Sequence, residues 1–220
     1  MALSLDHAFI TCEFGTPEAE ALRAMGFVEG SGNVHPGQGT ANRRFFFANF
    51  MLELLWVSDP SEAASDAVRC TELWERWSQR NERASRFGIL YGGANSPGSS
   101  SPLATRPYFP AYLAAGLSID VAQGLTLDEP AIYMMPWLSP DRPRLSEPTD
   151  HALPVRVITG VSVGVPDLRS LSDAARRVRD AKLLNYFESA SSVLEIQFQS
   201  QESRMIDCRP YLPLVVRSTP

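Results

Sequence analysis

Two stretches near the N-terminus decide the fold: LDHAFI, residues Leu5–Ile10, and HPGQGTANRRFFFANFMLELLWV, residues His35–Val57. The first stretch is apolar with aromatic and β-branched residues, which is typical of a strand. The glycine-rich start of the second stretch predicts a loop, and its apolar remainder predicts strands at Arg44–Ala48 and Met51–Val57. Pro17, preceded by Thr16 and followed by acidic residues, predicts a helix between the two stretches. With a short strand after that helix, the order is strand, helix, strand, strand, strand.

The C-terminal part of the chain repeats this order. Arg156–Val165 is a β-branched run typical of a strand, Leu168–Ala181 has helical spacing, and three shorter strand candidates follow. A unit of roughly 55–60 residues recurring at both ends indicates an internal repeat. We therefore divide the chain into a first module (1–58), an inserted segment (59–155) and a second module (156–220), all within one compact domain. The insertion contains a predicted helix at Pro60–Arg83, further strands and a proline-rich connector.

Composition excludes several classes of protein. The 220 residues are 44% hydrophobic and 20% charged, which is ordinary for a globular chain and argues against disorder. The net charge of -5, without a long basic run, argues against nucleic acid as a partner. No apolar run is long enough to span a bilayer, and the first residues do not resemble a signal peptide. The 3 cysteines are widely spaced, so a disulfide framework is not expected. We expect a cytoplasmic protein.

Three motifs in fixed order carry a resemblance: LDH at residues 5–7, HPGQGTAN at 35–42 and LEL at 52–54. Together with the repeated βαβββ order, they resemble the vicinal-oxygen-chelate superfamily, and within it the glyoxalase-like domain proteins. The resemblance implies an α+β fold in which paired βαβββ modules form a curved mixed-sheet cup around a small-molecule ligand. It also implies a monomer or a homodimer. Relatives include glyoxalases, extradiol dioxygenases, epimerases and metal-free resistance proteins, so the fold alone does not fix the function.

The resemblance also implies a metal site, with ligands on the first and last strands of each module. His7 and Glu53 match these positions in the first module, and their nitrogen and oxygen donors suit one divalent ion: Zn, Fe, Mn or Ni. In the second module the matching positions hold Val161, which cannot bind a metal, and Asp207, with Glu195 as the fallback. The implied ligand set is therefore His7, Glu53 and Asp207. No motif for an organic cofactor is present.

An ordinary structural interpretation of the first two residues stays open at this point. His7 is explained equally well as a core histidine whose nitrogens are hydrogen-bonded. Glu53 is explained by an ion pair with Arg43 or Arg44, since a carboxylate among apolar neighbours needs a compensating partner.

Two groups of residues are candidates for contact with a substrate. In the glycine-rich loop these are His35, Gln38, Thr40 and Asn42, because such turns let the backbone approach a ligand. Trp56, Tyr108 and Tyr133 are aromatic residues outside obvious helix cores, and small-molecule pockets are commonly aromatic. The alternative for the loop residues is that they only form a turn. The alternative for the aromatic residues is that they only pack in the core.

Two functions follow from these observations. The first is a metal-dependent lyase, isomerase or dioxygenase in which Glu53 moves a proton, either itself or through metal-bound water. The second is a metal-free protein that binds and sequesters a small drug or metabolite in the same cup.

Overall fold

The structure is a computed structural model, and it describes residues 3–93, 103–139 and 146–219. Strands and helices are numbered separately in chain order. The strands of the first sheet are β1 (Ser4–Thr11), β2 (Asn33–His35), β3 (Thr40–Phe46), β4 (Met51–Val57), β5 (Phe87–Gly92), β6 (Thr105–Tyr108), β7 (Ile119–Ala122) and β8 (Ala131–Met135). The strands of the second sheet are β9 (Ile158–Val165), β10 (Asn185–Glu188), β11 (Val193–Gln199), β12 (Met205–Asp207) and β13 (Leu214–Thr219). The α-helices are α1 (Glu18–Ala24), α2 (Pro60–Ala63), α3 (Leu73–Ser78) and α4 (Asp173–Asp180).

The first sheet is built from two halves with the same strand arrangement. Its order is β2-β3-β4-β1-β5-β8-β7-β6, so each half runs from an edge strand to a parallel central pair. That pair is β4 with β1 in one half and β8 with β5 in the other. The halves join where β1 and β5 pair antiparallel, with His7 opposite Leu90. The predicted α+β class, with paired modules that form a cup, is confirmed.

The partner of the first module in this sheet differs from the predicted one. We expected 1–58 to be matched by 156–220, but strands β5–β8 from the predicted insertion complete the sheet. The physical reason is that β5 supplies a long apolar strand whose backbone pairs with β1 over six residue pairs. The segment boundaries themselves stay a prediction.

The C-terminal strands form a separate five-stranded sheet with the order β10-β9-β11-β13-β12. Its strand β9 pairs parallel with β10 and antiparallel with β11. We expected Pro210 and Pro213 to restrict any last strand to a sheet edge. Instead β13 starts one residue after Pro213 and lies between β11 and β12, because every residue that pairs in it retains its N–H.

The two sheets share one hydrophobic core. Alternate residues of the first sheet, such as Ile10, Leu54 and Ile89, belong to the same buried cluster as Val163 and Leu194 of the second sheet. The other face of the first sheet carries a second apolar cluster that includes Phe9, Leu55 and Tyr133. Since side chains alternate along a strand, the first sheet is apolar on both faces. One face packs on the second sheet, and the other is available to line a pocket.

The predicted helix at Pro60–Arg83 is broken into short pieces. Asp59 caps α2 by accepting from the N–H groups of Ser61 and Glu62. A 3₁₀ turn at Arg69–Thr71 follows, and α3 starts after Glu72, which has a positive φ of 56°. A left-handed residue interrupts helical hydrogen bonding, so the apolar spacing of this segment does not produce one helix. No helix in the described ranges is long and apolar enough to cross a membrane.

The connector contacts the first module in its described part, residues 146–154. Nδ1 of His151 accepts from the N–H of Val28 at 2.9 Å, and the N–H of Ala152 donates to Gly26 at 2.9 Å. Glu147 accepts from the N–H of Ser31 at 3.0 Å. The remaining connector residues, 140–145, lie outside the described ranges.

Because both sheets contribute to one core, we expect them to unfold together. Leu194→Ala should lower the free energy of unfolding by about 2–5 kcal/mol, since Leu194 is fully buried. All four tryptophans (Trp56, Trp74, Trp77 and Trp137) lie in the part of the chain that forms the first sheet. Tryptophan fluorescence during urea unfolding should therefore report the loss, although the mutation is in the second sheet.

The matched control is Met205→Ala, because Met205 is 63% exposed in the same sheet and should change the free energy of unfolding by less than about 0.5 kcal/mol. If Leu194→Ala leaves the fluorescence transition unchanged while circular dichroism shows a second, earlier transition, the sheets are independent.

Candidate functional site

A pocket lies on the face of the first sheet that does not pack on the second sheet. Its cavity volume is about 180 Å³. The strand residues that line it follow the expected alternation: His7 and Phe9 on β1, and Met51, Glu53 and Leu55 on β4. This alternation brings His7 and Glu53 to the same face of the sheet.

His7 is held by its neighbour Asp6. The Nδ1 atom of His7 lies 2.6 Å from Oδ2 of Asp6, and both side chains are buried. Adjacent residues of a regular strand point to opposite faces. Here the pairing of β1 with β5 shifts between Leu5 and His7, and this irregularity lets the two side chains meet. Since a carboxylate only accepts, the contact places a proton on Nδ1 and directs Nε2 away from Asp6.

Glu53 is a buried carboxylate held by an amide. Its Oε1 accepts a short hydrogen bond from Nδ2 of Asn42. The amide of Asn42 is oriented in turn, because its Oδ1 accepts from the N–H of Asn33 at 2.8 Å. Neither Arg43 nor Arg44 forms the ion pair that the ordinary interpretation of Glu53 proposed. Arg43 pairs with Glu29 at 2.5 Å and Glu20 at 2.7 Å.

His7 and Glu53 approach each other inside the pocket. Nε2 of His7 lies 3.6 Å from Oε2 of Glu53, which is longer than a hydrogen bond. In the neutral imidazole with the proton on Nδ1, both facing atoms are acceptors. A group that binds both must therefore donate: a metal cation or an N–H or O–H group qualifies.

The glycine-rich loop supplies a second polar cluster. The Oγ1 of Thr40 lies 2.9 Å from Nδ1 of His35 and accepts from Nε2 of Gln38 at 2.7 Å. The hydroxyl of Tyr112 donates to Oε1 of Gln38 at 3.1 Å, and its ring centroid is 4.8 Å from that of His35. Burial lowers the pKa of His35, an effect that the nearby charge of Glu53 only partly offsets. His35 is thus held as a neutral ring.

Glycine is required in this loop for a steric reason. Gly39 has a φ of +70°, and a Cβ there would lie 2.3 Å from the carbonyl oxygen of Asp59. The carbonyl of Gly39 accepts from the N–H groups of Ser58 and Asp59, which fixes the loop against the start of α2. This close approach positions Gln38 and Thr40 at the pocket.

Aromatic rings form much of the remaining wall, and their polar atoms have protein partners. The hydroxyl of Tyr133 donates to the carbonyl of Thr71 at 2.9 Å, and Nε1 of Trp137 donates to Ser118 at 2.8 Å. Burial raises the pKa of Tyr108 to about 12 and the pKa values of Tyr112 and Tyr133 further, so all three phenols stay neutral. These side chains therefore offer apolar ring surface to a ligand.

Arg44 also lines the pocket, but its charge is directed elsewhere. Its Nε donates to the carbonyl of Ser31 and its Nη2 to the hydroxyl of Ser31, both at 2.7 Å. Glu147 of the connector lies 4.0 Å from the same guanidinium. Sequence reasoning missed this link, because Ser31 and Glu147 are 116 residues apart.

The structure does not bring the predicted third ligand to the pocket. Asp207 is on β12 in the second sheet, where its carboxylate pairs with Arg209 at 2.5 Å. That guanidinium lowers the pKa of Asp207 to about 2. The fallback Glu195 is on β11 of the same sheet and pairs with Arg217 at 2.9 Å. The expected convergence of His7, Glu53 and Asp207 is thus wrong, since it relied on pairing the first module with 156–220.

The other predicted contacts divide between the pocket wall and positions behind it. His35, Gln38, Asn42, Tyr108 and Tyr133 line the pocket. Thr40 is buried behind His35 and Gln38 and positions them. Trp56 is not in the pocket wall, because it follows Leu55 on β4 and so points to the opposite face.

The donor set falls short of a resident metal site. Within the described ranges, no group of three or more His, Cys, Asp or Glu side chains is arranged to hold a metal ion. The half of the sheet that faces His7 and Glu53 presents Leu90, Tyr133 and Met135 to the pocket, and none of these carries an imidazole or a carboxylate. Catalytic zinc sites commonly use three protein ligands. His7 and Glu53 supply two.

A comparison with protein families identifies the N-terminal part of the chain. Residues 5–90 match the family described as "Glyoxalase-like domain". This match covers β1–β4, the helices α1–α3 and part of β5, and so includes His7, Asn42 and Glu53. The match confirms the resemblance to glyoxalase-like domain proteins over these residues. Curated proteins give no match.

One solved structure shares the fold at low identity, and two others align with lower TM-scores. A hypothetical protein from Staphylococcus aureus aligns over 100% of both chains with 12% identity and a TM-score of 0.52. Methylmalonyl-CoA epimerase from Streptomyces coelicolor aligns over 64% of this chain and 100% of its own, with 14% identity and a TM-score of 0.43. A mutant of 4-hydroxymandelate synthase from the same organism covers 98% of this chain and 62% of its own, at 15% identity and a TM-score of 0.42. At these identities the likeness concerns the fold and does not transfer a ligand.

The contact between Asn42 and Glu53 predicts a measurable coupling. Asn42→Ala should lower the free energy of unfolding by roughly 1–3 kcal/mol, because it leaves a buried carboxylate oxygen and the N–H of Asn33 without their partner. In a Glu53→Leu background the same change should have a smaller effect, by at least about 0.5 kcal/mol. Urea unfolding of the two single variants and the double variant measures the difference. Additive effects would show that the amide does not stabilise Glu53.

Proposed function

We propose that this protein binds a small organic molecule in the pocket between the two halves of the first sheet. The observation that supports this most directly is the approach of His7 and Glu53 in a cavity whose remaining wall is largely apolar and aromatic. Buried polar groups are ordinarily paired, so two acceptors that face one another in a cavity indicate a group that donates to both. The remainder of the wall then holds the apolar part of the same molecule.

The size of the cavity limits what this molecule is. Pockets for drug-sized ligands range from about 300 to 1,000 Å³, and the cavity here is about 180 Å³. A compact metabolite fits this volume, whereas a large drug or a whole cofactor ester would have to extend beyond it. We therefore favour sequestration or recognition of a small molecule over binding of a large antibiotic.

A second candidate is a metal-dependent lyase, isomerase or dioxygenase. The observation in its favour is that Nε2 of His7 and Oε2 of Glu53, the two atoms that would bind a metal ion, lie 3.6 Å apart. Their positions on the first and last strands of the first module are those that the superfamily resemblance implies for metal ligands. The two-donor set weighs against it, so we place this activity second.

Ligand binding is tested by reducing the cavity. Leu113 is a half-buried residue of the pocket wall. The substitution Leu113→Trp should fill much of the cavity with the larger side chain and leave the fold intact. Some small aromatic fragments should bind the wild type and raise its melting temperature. We expect the same fragments to leave the melting temperature of Leu113→Trp unchanged. Val34→Trp is the control, because Val34 is 62% exposed and is not among the lining residues. Fragments that stabilise all three proteins equally would place binding outside this pocket.

The metal question is tested separately by elemental analysis of protein purified without chelator. We expect less than one equivalent of any divalent transition metal, with no change in Asp207→Asn. One full equivalent that disappears in His7→Ala would contradict this expectation and would establish the metal-dependent candidate in its place.

A further inference from the structure

We propose that the pocket selects molecules that carry a protonated amine next to an aromatic or apolar body. This inference rests on the proposed small-molecule binding and specifies its ligand class. It follows from the juxtaposition of a buried carboxylate, an imidazole acceptor and a wall of aromatic rings.

Within the described ranges, no lysine or arginine lies within hydrogen-bond distance of the Glu53 carboxylate. Glu53 is 6% exposed, and its contacts are the neutral amide of Asn42 and the ring of His7 at 3.6 Å. Burial of a carboxylate is unfavourable unless a cation or several donors compensate. The charge of an ammonium group placed between Glu53 and His7 would complete this compensation, and its N–H groups would satisfy both acceptors.

The cations already near the pocket do not fill this role. Arg44 is opposite Glu53 in the register of β3 and β4, yet its guanidinium is bound by Ser31 and lies near Glu147. His35 is bound to Thr40, and its burial favours the neutral ring. Among the described residues, the polar end of the pocket therefore presents the Glu53 carboxylate without a guanidinium bound to it.

The walls favour the same class of ligand. Phe9 and Tyr133 lie with ring centroids 5.9 Å apart, and Tyr112 and Trp137 line other parts of the wall. The hydroxyls of Tyr112 and Tyr133 and the indole N–H of Trp137 have protein partners, so the rings present π surface. Organic cations are attracted to such surface, and an aromatic body also packs against it.

A matched set of probes tests the inference: 2-phenylethylamine, 2-phenylethanol and phenylacetate, which share a ring and differ in charge. Isothermal titration calorimetry at neutral pH should show the amine binding about ten- to a hundredfold more tightly than the alcohol, as expected for a charged hydrogen bond. Phenylacetate should bind most weakly. Glu53→Gln, which keeps an oxygen that can accept from Asn42, should remove the preference for the amine over the alcohol.

Asp207→Asn is the control, because it removes one negative charge far from the pocket and should preserve the order of affinities. Equal binding of amine and alcohol, or tighter binding of phenylacetate, would overturn the inference and leave small-molecule binding intact. Amine preference that persists in Glu53→Gln also overturns it. Absence of binding by all three probes to a wild type with a normal thermal transition contradicts both this inference and the proposed pocket.

Discussion

The antiparallel pairing of β1 with β5 is the interaction on which the rest of the molecule depends. It places His7 opposite Leu90 and joins two four-stranded halves into one sheet. Because both strands are central and apolar on both faces, one face packs on the second sheet and the other lines the pocket. The pocket therefore depends on two features of the first sheet: its two halves pair side by side, and its opposite face is buried against the second sheet.

The same pairing explains why the polar groups are confined to one side of the pocket. The first half contributes His7, Asn42 and Glu53, and the loop before β3 adds His35 and Gln38. The second half contributes mainly aliphatic and aromatic side chains. A site with ligands from both halves could hold a metal ion between them. In the arrangement observed, a polar end faces an apolar wall, which is the general form of a pocket that orients a small organic molecule.

The fold class could be predicted from sequence because it depends on local patterns and on short motifs. In β1 and β4, strand alternation places His7 and Glu53 on the pocket face. The pairing of the modules could not be predicted in the same way. β5 and β9 are both apolar strands that follow similar signals, and only the packed structure decides which of them pairs with β1. The choice of Asp207 as a ligand depended on that pairing, and it failed for this reason.

Long-range polar contacts were the other part that the sequence did not reveal. Arg44 could have paired with Glu53, its neighbour across the strands, but Ser31 and Glu147 hold it instead. Glu147 reaches this place because the connector docks on the first module through Val28 and His151. The connector, which reads as a simple crossing segment, thereby helps to determine the charge of the pocket. With Arg44 held by these contacts, the carboxylate of Glu53 keeps its negative charge available to whatever enters. Glu147, more than 90 residues from Arg44 and Glu53 along the chain, thus joins Ser31 in directing the guanidinium away from Glu53.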